Sequence, residues 1–327
     1  VTAPRRIIII HPGALGDLVI AAYAVNSLKN KFHDARLDAY TSYRVWPLFK
    51  NTVDSWTNLD GSKIHRLFSE ADACVLGSAD IIVTWMGSND KVFLDNLAES
   101  TGAEIITASP TPPPDYKMHA ANYLASTLSE LEIDAPADCL TFESEVIEDK
   151  LKPLLRAIGA DDPPNLLVIH PGSGARSKCL PPELFAEFIE WWLSSGRHAV
   201  ILEGPADAEA VANVLEKAGE IPVLKSPPLR ELATLLSKCA AYVGNDSGVS
   251  HLAAAVGAPT MAVFGPTDST VWGPRGSQVT ILTGNADCSP CSAEKRRRCQ
   301  TMKCFDDISI TRVKQALDSI QYLEVSP

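Results

Sequence analysis

A chain of 327 residues with 29 Lys and Arg against 40 Asp and Glu carries a formal net charge of -11. At roughly 150 residues per domain the length fits two domains, and the acid excess, present in both halves, argues against nucleic acid as a partner, since tracking phosphates requires surplus cations. Hydrophobic residues at 46% and charged residues at 21% describe a folded globular protein with a sizeable core.

The elements follow in chain order. Ile7 to Ile10 form a short, wholly apolar strand entering the turn His11-Pro12-Gly13. The run is too short for a signal-peptide core of roughly seven or more residues, and the longest apolar candidate elsewhere, 252–264, is broken by Gly257 and Pro259, short of the ~18 residues of a membrane span. A cytoplasmic location is expected. Leu15, Leu18, Val19, Ala22, Val25 and Leu28 recur at helical spacing. Strands are predicted at 36–40, 80–85 and 104–108, and Pro110 to Pro114 form a loop.

Leu166 to Ile169 and His170-Pro171-Gly172 then repeat the opening design, followed by a helix over Leu184, Phe185, Phe188, Ile189, Trp192 and Leu193. Further strands are predicted at 199–203, 241–243 and 260–264, an Ala-rich helix at 249–256 and a closing helix at 310–323. Alternating strand and helix with fully apolar strands predicts α/β architecture: two doubly wound, Rossmann-like domains, 1–160 and 161–327, joined at Asp161-Asp162-Pro163-Pro164. Two such domains facing one another are expected to leave a central cleft at the carboxyl ends of their strands.

Three glycine turns carry the polar residues suited to chemistry. Gly13, Gly16 and Asp17 stand where the first strand passes into its helix; glycine permits close ligand approach, and Asp17 is either a helix-dipole partner or a base for a substrate hydroxyl. Ser173, Arg176 and Lys178 follow the second His-Pro-Gly and fit either a diphosphate site or a turn with solvated cations. Neither a Walker A ending nor GxGxxG is present. Asn245-Asp246-Ser247-Gly248 with His251 one turn later fits a sugar phosphate at a helix N-terminus, with N-capping by Asp246 or Ser247 and a buried structural His251 as the plainer alternatives. Asp207 and Glu209, after another strand end, compete as ribose partners or helix caps.

HPGALGD, HPGSGARSK and GNDSGVSHLAAAVGAPTMAVFGPTD in this order resemble glycosyltransferase family 9, the ADP-heptose:lipopolysaccharide heptosyltransferases and their relatives. The resemblance implies a GT-B fold with acceptor in the first domain and nucleotide sugar in the second, and inverting transfer without a catalytic metal. It places Asp17 as catalytic base, Lys178 on the donor diphosphate, Asp246, Ser247, Gly248 and His251 around the donor sugar and phosphates, Ser173 in the phosphate turn and Asp207 near the donor ribose. The transfer implied is of a heptose or related sugar, with ADP-heptose as donor and a lipid-linked acceptor of the lipopolysaccharide inner core or another surface glycan as partner, and with peripheral contact at the inner face of the inner membrane. A sugar-nucleotide epimerase of related architecture and a non-catalytic sugar-nucleotide-binding protein are the alternatives.

Cys288, Cys291, Cys299 and Cys304 give C-x2-C-x7-C-x4-C, which suits a closed structural zinc or iron site; reduced or disulfide-bonded thiols are the alternative. Between them Lys295-Arg296-Arg297-Arg298 is the strongest basic run, either a solvated face or a site for lipid headgroups or a phosphorylated acceptor.

Overall fold

Ile7, Ile8, Ile9 and Ile10 are all completely buried, which a strand achieves only when both faces of its sheet are covered. The structure is a computed structural model describing residues 4–143, 152–153, 155–156 and 163–321. The chain divides into two units, Val1–Glu143 and Ser144–Pro327.

In the first unit β1 (Arg6–His11), α1 (Leu15–Lys31), β2 (Arg36–Thr41), β3 (Ser55–Asn58), α2 (Ala73–Leu76), β4 (Ile81–Thr84), α3 (Lys91–Thr101), β5 (Glu104–Thr107) and α4 (Ala120–Ser126) follow one another. The strands form a parallel sheet in the order β3-β2-β1-β4-β5, with Ile10 opposite both Tyr40 and Thr84. Ile8, Ile10, Ile82, Phe93 and Leu97 belong to one core beneath it. The proline-rich stretch 110–114 is loop between β5 and α4, as expected.

The second unit contains β6 (Leu166–His170), α5 (Pro182–Ser194), β7 (His198–Glu203), α6 (Ala208–Ala218), β8 (Val223–Lys225), α7 (Leu229–Leu236), β9 (Ala241–Asn245), α8 (Gly248–Ala255), β10 (Thr260–Phe264), α9 (Ser269–Trp272), β11 (Val279–Thr283), α10 (Ala293–Arg298) and α11 (Ile310–Gln321). Its parallel sheet runs β11-β10-β9-β6-β7-β8. Phe185, Phe188, Ile189 and Trp192 of α5 pack into a core that Val313 and Leu317 of α11 also enter, so the expected closing helix packs where its periodicity said. Residues 322–323 of that helix and 161–162 of the linker lie outside the described residues, and the linker's last prolines form a single 3-10 turn, Pro163–Asn165.

Three strands went unpredicted: β3, β8 and β11. Each is the edge of its sheet and is half-open to solvent, as in Ser55-Trp56-Thr57-Asn58, where no residue is fully buried. An edge strand needs neither a continuous apolar run nor strict alternation, so its pattern is weak. Among the described residues no helix is long and apolar enough to cross a membrane.

Candidate functional site

In an open parallel sheet, ligands bind outside the carboxyl ends of the two neighbouring strands whose connections leave in opposite directions. Those pairs are β1 with β4 and β6 with β9. The polar turns singled out above lie at these points: 11–13 ends β1, 170–172 ends β6 and 245–247 ends β9.

In the first unit the Gly13 N–H donates to His11 Nδ1 at 3.0 Å, and the Ala14 N–H donates to Asp17 Oδ2 at 3.0 Å. Asp17 thus closes the N-terminus of α1, and Gly16 sits one residue before it within the helix. A Cβ on Gly13 would stand 2.6 Å from the Asp17 Cβ and from His11 Cε1, so only glycine lets the turn fold onto both side chains. His11 is fully buried, with ring centroids 5.4 Å from Trp85 and 6.3 Å from Trp46. Burial pushes its pKa down to about 3. The imidazole is therefore neutral, and since Nδ1 accepts from Gly13 its proton is on Nε2, which has no hydrogen-bond partner among the described residues.

In the second unit the structure brings three of the expected residues together with Thr267. Lys178 Nζ lies 2.8 Å from Asp246 Oδ2, the Thr267 hydroxyl donates to the same oxygen at 2.6 Å, and the Ser173 hydroxyl donates to the Asp246 carbonyl at 2.6 Å. Asp246 is buried; two donors on one carboxylate oxygen, one of them cationic, offset its desolvation. Ser247 N-caps α8, accepting the Ser250 N–H, so the capping reading holds for it. Gly248 opens that helix, and His251, one turn on, is buried.

Asp207 is turned inward. Its Oδ2 lies 2.9 Å from His170 Nε2 and accepts the Gly204 N–H at 2.9 Å. The hydrogen bond from His170 holds its carboxyl below the ordinary carboxylate range. On the other side of the ring, His170 Nδ1 lies 3.1 Å from the Ser247 hydroxyl. His170 therefore ties the end of β6 to the cap of α8 and the start of α6. Sequence reasoning passed over His170 and Thr267 as site residues, although both stand in the quoted motifs. The signal was the repeat itself: His170 occupies the place in β6 that His11 has in β1. Glu209, by contrast, is exposed on a cavity of about 370 Å³ that Gly172, Ser173, Arg176 and Asn213 also line, and stands 3.7 Å from Arg176.

The expectation of a structural zinc or iron among Cys288, Cys291, Cys299 and Cys304 finds no support. Among the described residues no group of three or more His, Cys, Asp or Glu side chains is placed to hold a metal ion, and all four thiols are free. Cys291 Sγ donates to the Cys288 carbonyl at 2.9 Å, and Cys304 is buried in the hydrophobic core beside Phe305. The basic run does not form an isolated solvated face. Arg296 and Arg297 line a cavity of about 850 Å³ together with Arg176 and Lys178.

The model of glycosyltransferase family 9 (heptosyltransferase) matches residues 109–302. The lipooligosaccharide heptosyltransferase 2 of Haemophilus influenzae is 23% identical over 305 residues, 85% of this chain and 88% of the relative. Among solved structures, a family 9 glycosyltransferase from Veillonella parvula matches with TM-score 0.76 at 20% identity over 97% of both chains. Escherichia coli ADP-heptose LPS heptosyltransferase II matches with TM-score 0.71 at 16% identity, covering 98% of this chain and 100% of that one. These structures share the GT-B fold, with two Rossmann-like domains. The family match spans more than half of the chain and takes in the second unit's turns at 170–178 and 245–248: this chain is a glycosyltransferase of family 9, the heptosyltransferase family.

Proposed function

We propose that the chain transfers a heptose, with inversion and without a catalytic metal, from ADP-heptose to a lipid-linked acceptor of the lipopolysaccharide inner core. The observation that carries this reading is the Lys178, Asp246 and Ser173 cluster at the start of α8. A cation, a hydroxyl and a helix N-terminus gathered at a sheet's switch point suit a nucleoside diphosphate sugar. The domain 161–327 holds the donor and the domain 1–160 the acceptor. Asp207, its Oδ2 held by His170 and Gly204, and Glu209 both line the cavity beside the phosphate turn, and Glu209, the more exposed of the two, is the carboxylate we assign to the ribose hydroxyls.

In the reaction, Asp17 takes the proton of the acceptor hydroxyl as that oxygen bonds to the anomeric carbon from the face opposite the leaving group. The bond from that carbon to the diphosphate breaks, and Lys178 with the α8 N–H groups stabilises the charge released on the departing ADP. These fixed charges do what a bound divalent ion does elsewhere. A lipid-linked acceptor places the work in the cytoplasm, at the inner face of the inner membrane.

The test is ADP release from ADP-heptose by the full chain, with and without a heptose-deficient lipopolysaccharide acceptor, beside thermal shifts with ADP, GDP and UDP. Acceptor-dependent release and stabilisation by ADP are expected. Stabilisation by GDP or UDP alone would overturn the heptose donor and leave the family untouched. Release that ignores the acceptor would replace transfer by hydrolysis.

A further inference from the structure

The basic run between the cysteines has no task in the reading above. It forms the last turn of α10, a helix N-capped by Ser292 and fastened to the end of β10: the Cys291 N–H donates to the Pro266 carbonyl at 2.8 Å and the Ser289 hydroxyl to the Gly265 carbonyl at 2.6 Å. Thus held, Arg296 and Arg297 face the turn that bears Arg176 and Lys178 across the cavity of about 850 Å³. That cavity shares Gly174, Ala175, Arg176 and Met302 with the smaller one beside Glu209, so the two are continuous.

The charges around it do not cancel. Lys178 is paired with Asp246, Arg176 stands near Glu209 and Arg298 pairs with Glu294 at 3.2 Å. Arg296 and Arg297 have no ion pair or side-chain hydrogen bond among the described residues. Two guanidinium groups without partners, set beside a lysine and a third arginine in an acidic protein, repel one another until an anion enters. Guanidinium forks match phosphate oxygens two at a time.

We propose that Arg296 and Arg297 are binding residues for a diphosphate, forming a second wall of the donor site opposite Lys178. This rests on the donor reading for its location but not for its chemistry: any ligand with a diphosphate at this turn meets the same cations. The continuity of the two cavities favours the donor's diphosphate over a phosphate carried by the acceptor.

The experiment is calorimetric titration of the full chain with ADP, GDP, UDP, adenosine and inorganic pyrophosphate, beside steady-state transfer to a phosphorylated acceptor, for the wild type, the double variant R296Q/R297Q and the charge-keeping R296K/R297K. Expected are a fall of about tenfold or more in affinity for ADP and pyrophosphate in the Gln variant, unchanged adenosine binding, partial recovery in the Lys variant and an unchanged Tm. Wild-type affinity for pyrophosphate and ADP in the Gln variant overturns the proposal. The same result with a raised KM for a phosphorylated acceptor reassigns the arginines to that acceptor's phosphate. A wild type that binds pyrophosphate and UDP or GDP but not ADP, with binding lost in the Gln variant, overturns the ADP donor and leaves the arginines in place. A wild type that binds no diphosphate overturns both.

Discussion

Asp17 closes its helix and is the base proposed for transfer, and the two roles separate by substitution. Its Oδ2 accepts the Ala14 N–H, a bond an asparagine side chain also makes, while asparagine cannot take a proton from a hydroxyl near neutral pH. Asp17→Asn is therefore expected to keep the Tm within a degree or two and the ADP affinity within about twofold, while lowering the transfer rate by about a hundredfold or more. Transfer at the wild-type rate in this variant would remove Asp17 from the chemistry. At the same scale, His11 makes the first unit sensitive to acid. The folded state keeps the ring neutral down to about pH 3, whereas the unfolded chain protonates it near 6.5, so between those values the unfolded state binds more protons and stability falls as pH drops. At pH 5 the loss is about 2 kcal/mol relative to pH 8. Hydrogen exchange at β1 and β4 amides, corrected for intrinsic rates, reads it, and His11→Asn should flatten that pH dependence; an equal dependence in the variant would trace the loss to other groups. Asp17, Lys178 and Asp246 stand out in the sequence as candidates because each follows a strand end at a glycine turn, and the structure places each at such a turn. The orientation of Asp207 is not legible there, because it depends on which way a side chain turns, and that is decided by His170, a partner 37 residues away.

Among the elements, legibility followed burial, with the edge strand β5, read at 104–108, as the exception. The central strands β1, β4, β6, β9 and β10 are apolar on both faces and were read from composition alone, whereas β3, β8 and β11 lie at sheet edges where no such pattern is required. The segment from Cys288 to Cys304 shows the opposite case, a legible pattern whose expected metal finds no support. Its cysteine spacing met the requirement for a metal, yet spacing does not fix orientation: Cys304 is carried into the core by the turn Lys303–Phe305, and Cys299 remains near the surface at the end of α10. The four thiols consequently differ in reactivity. Backbone N–H groups of Met302 and Thr301 stabilise the Cys299 thiolate and lower its pKa, while burial pushes Cys304 up to about 11 and raises Cys291. Since the thiolate is the nucleophile, brief iodoacetamide treatment at pH 7.5 is expected to label Cys299 first and Cys304 last of the four, as read by peptide mass mapping. Equal labelling, or labelling of Cys304 first, would show that the segment does not hold this conformation.

For the molecule as a whole, the net charge of -11 and the two-unit division combine into one expectation. Each unit has a sheet and a core of its own: Ile8, Ile10, Phe93 and Leu97 in the first, Phe185, Trp192, Met261 and Leu317 in the second. Every residue proposed to bind the donor, from Ser173 to Arg297, belongs to the second unit, Ser144–Pro327. A fragment of residues 144–327 also falls within the common size range of single domains, roughly 50–250 residues. It is expected to fold cooperatively and to bind ADP within about threefold of the full chain, while catalysing no transfer because Asp17 is absent. Its ADP affinity should fall with added salt, as local cations set the binding even though the protein is acidic overall. Circular dichroism melting and calorimetry on the fragment decide between the outcomes. A fragment that does not melt cooperatively would mean that the second core depends on the first unit. A folded fragment that has lost ADP would mean that the first unit supplies part of the donor site, and the division of donor and acceptor between the two domains would then fall.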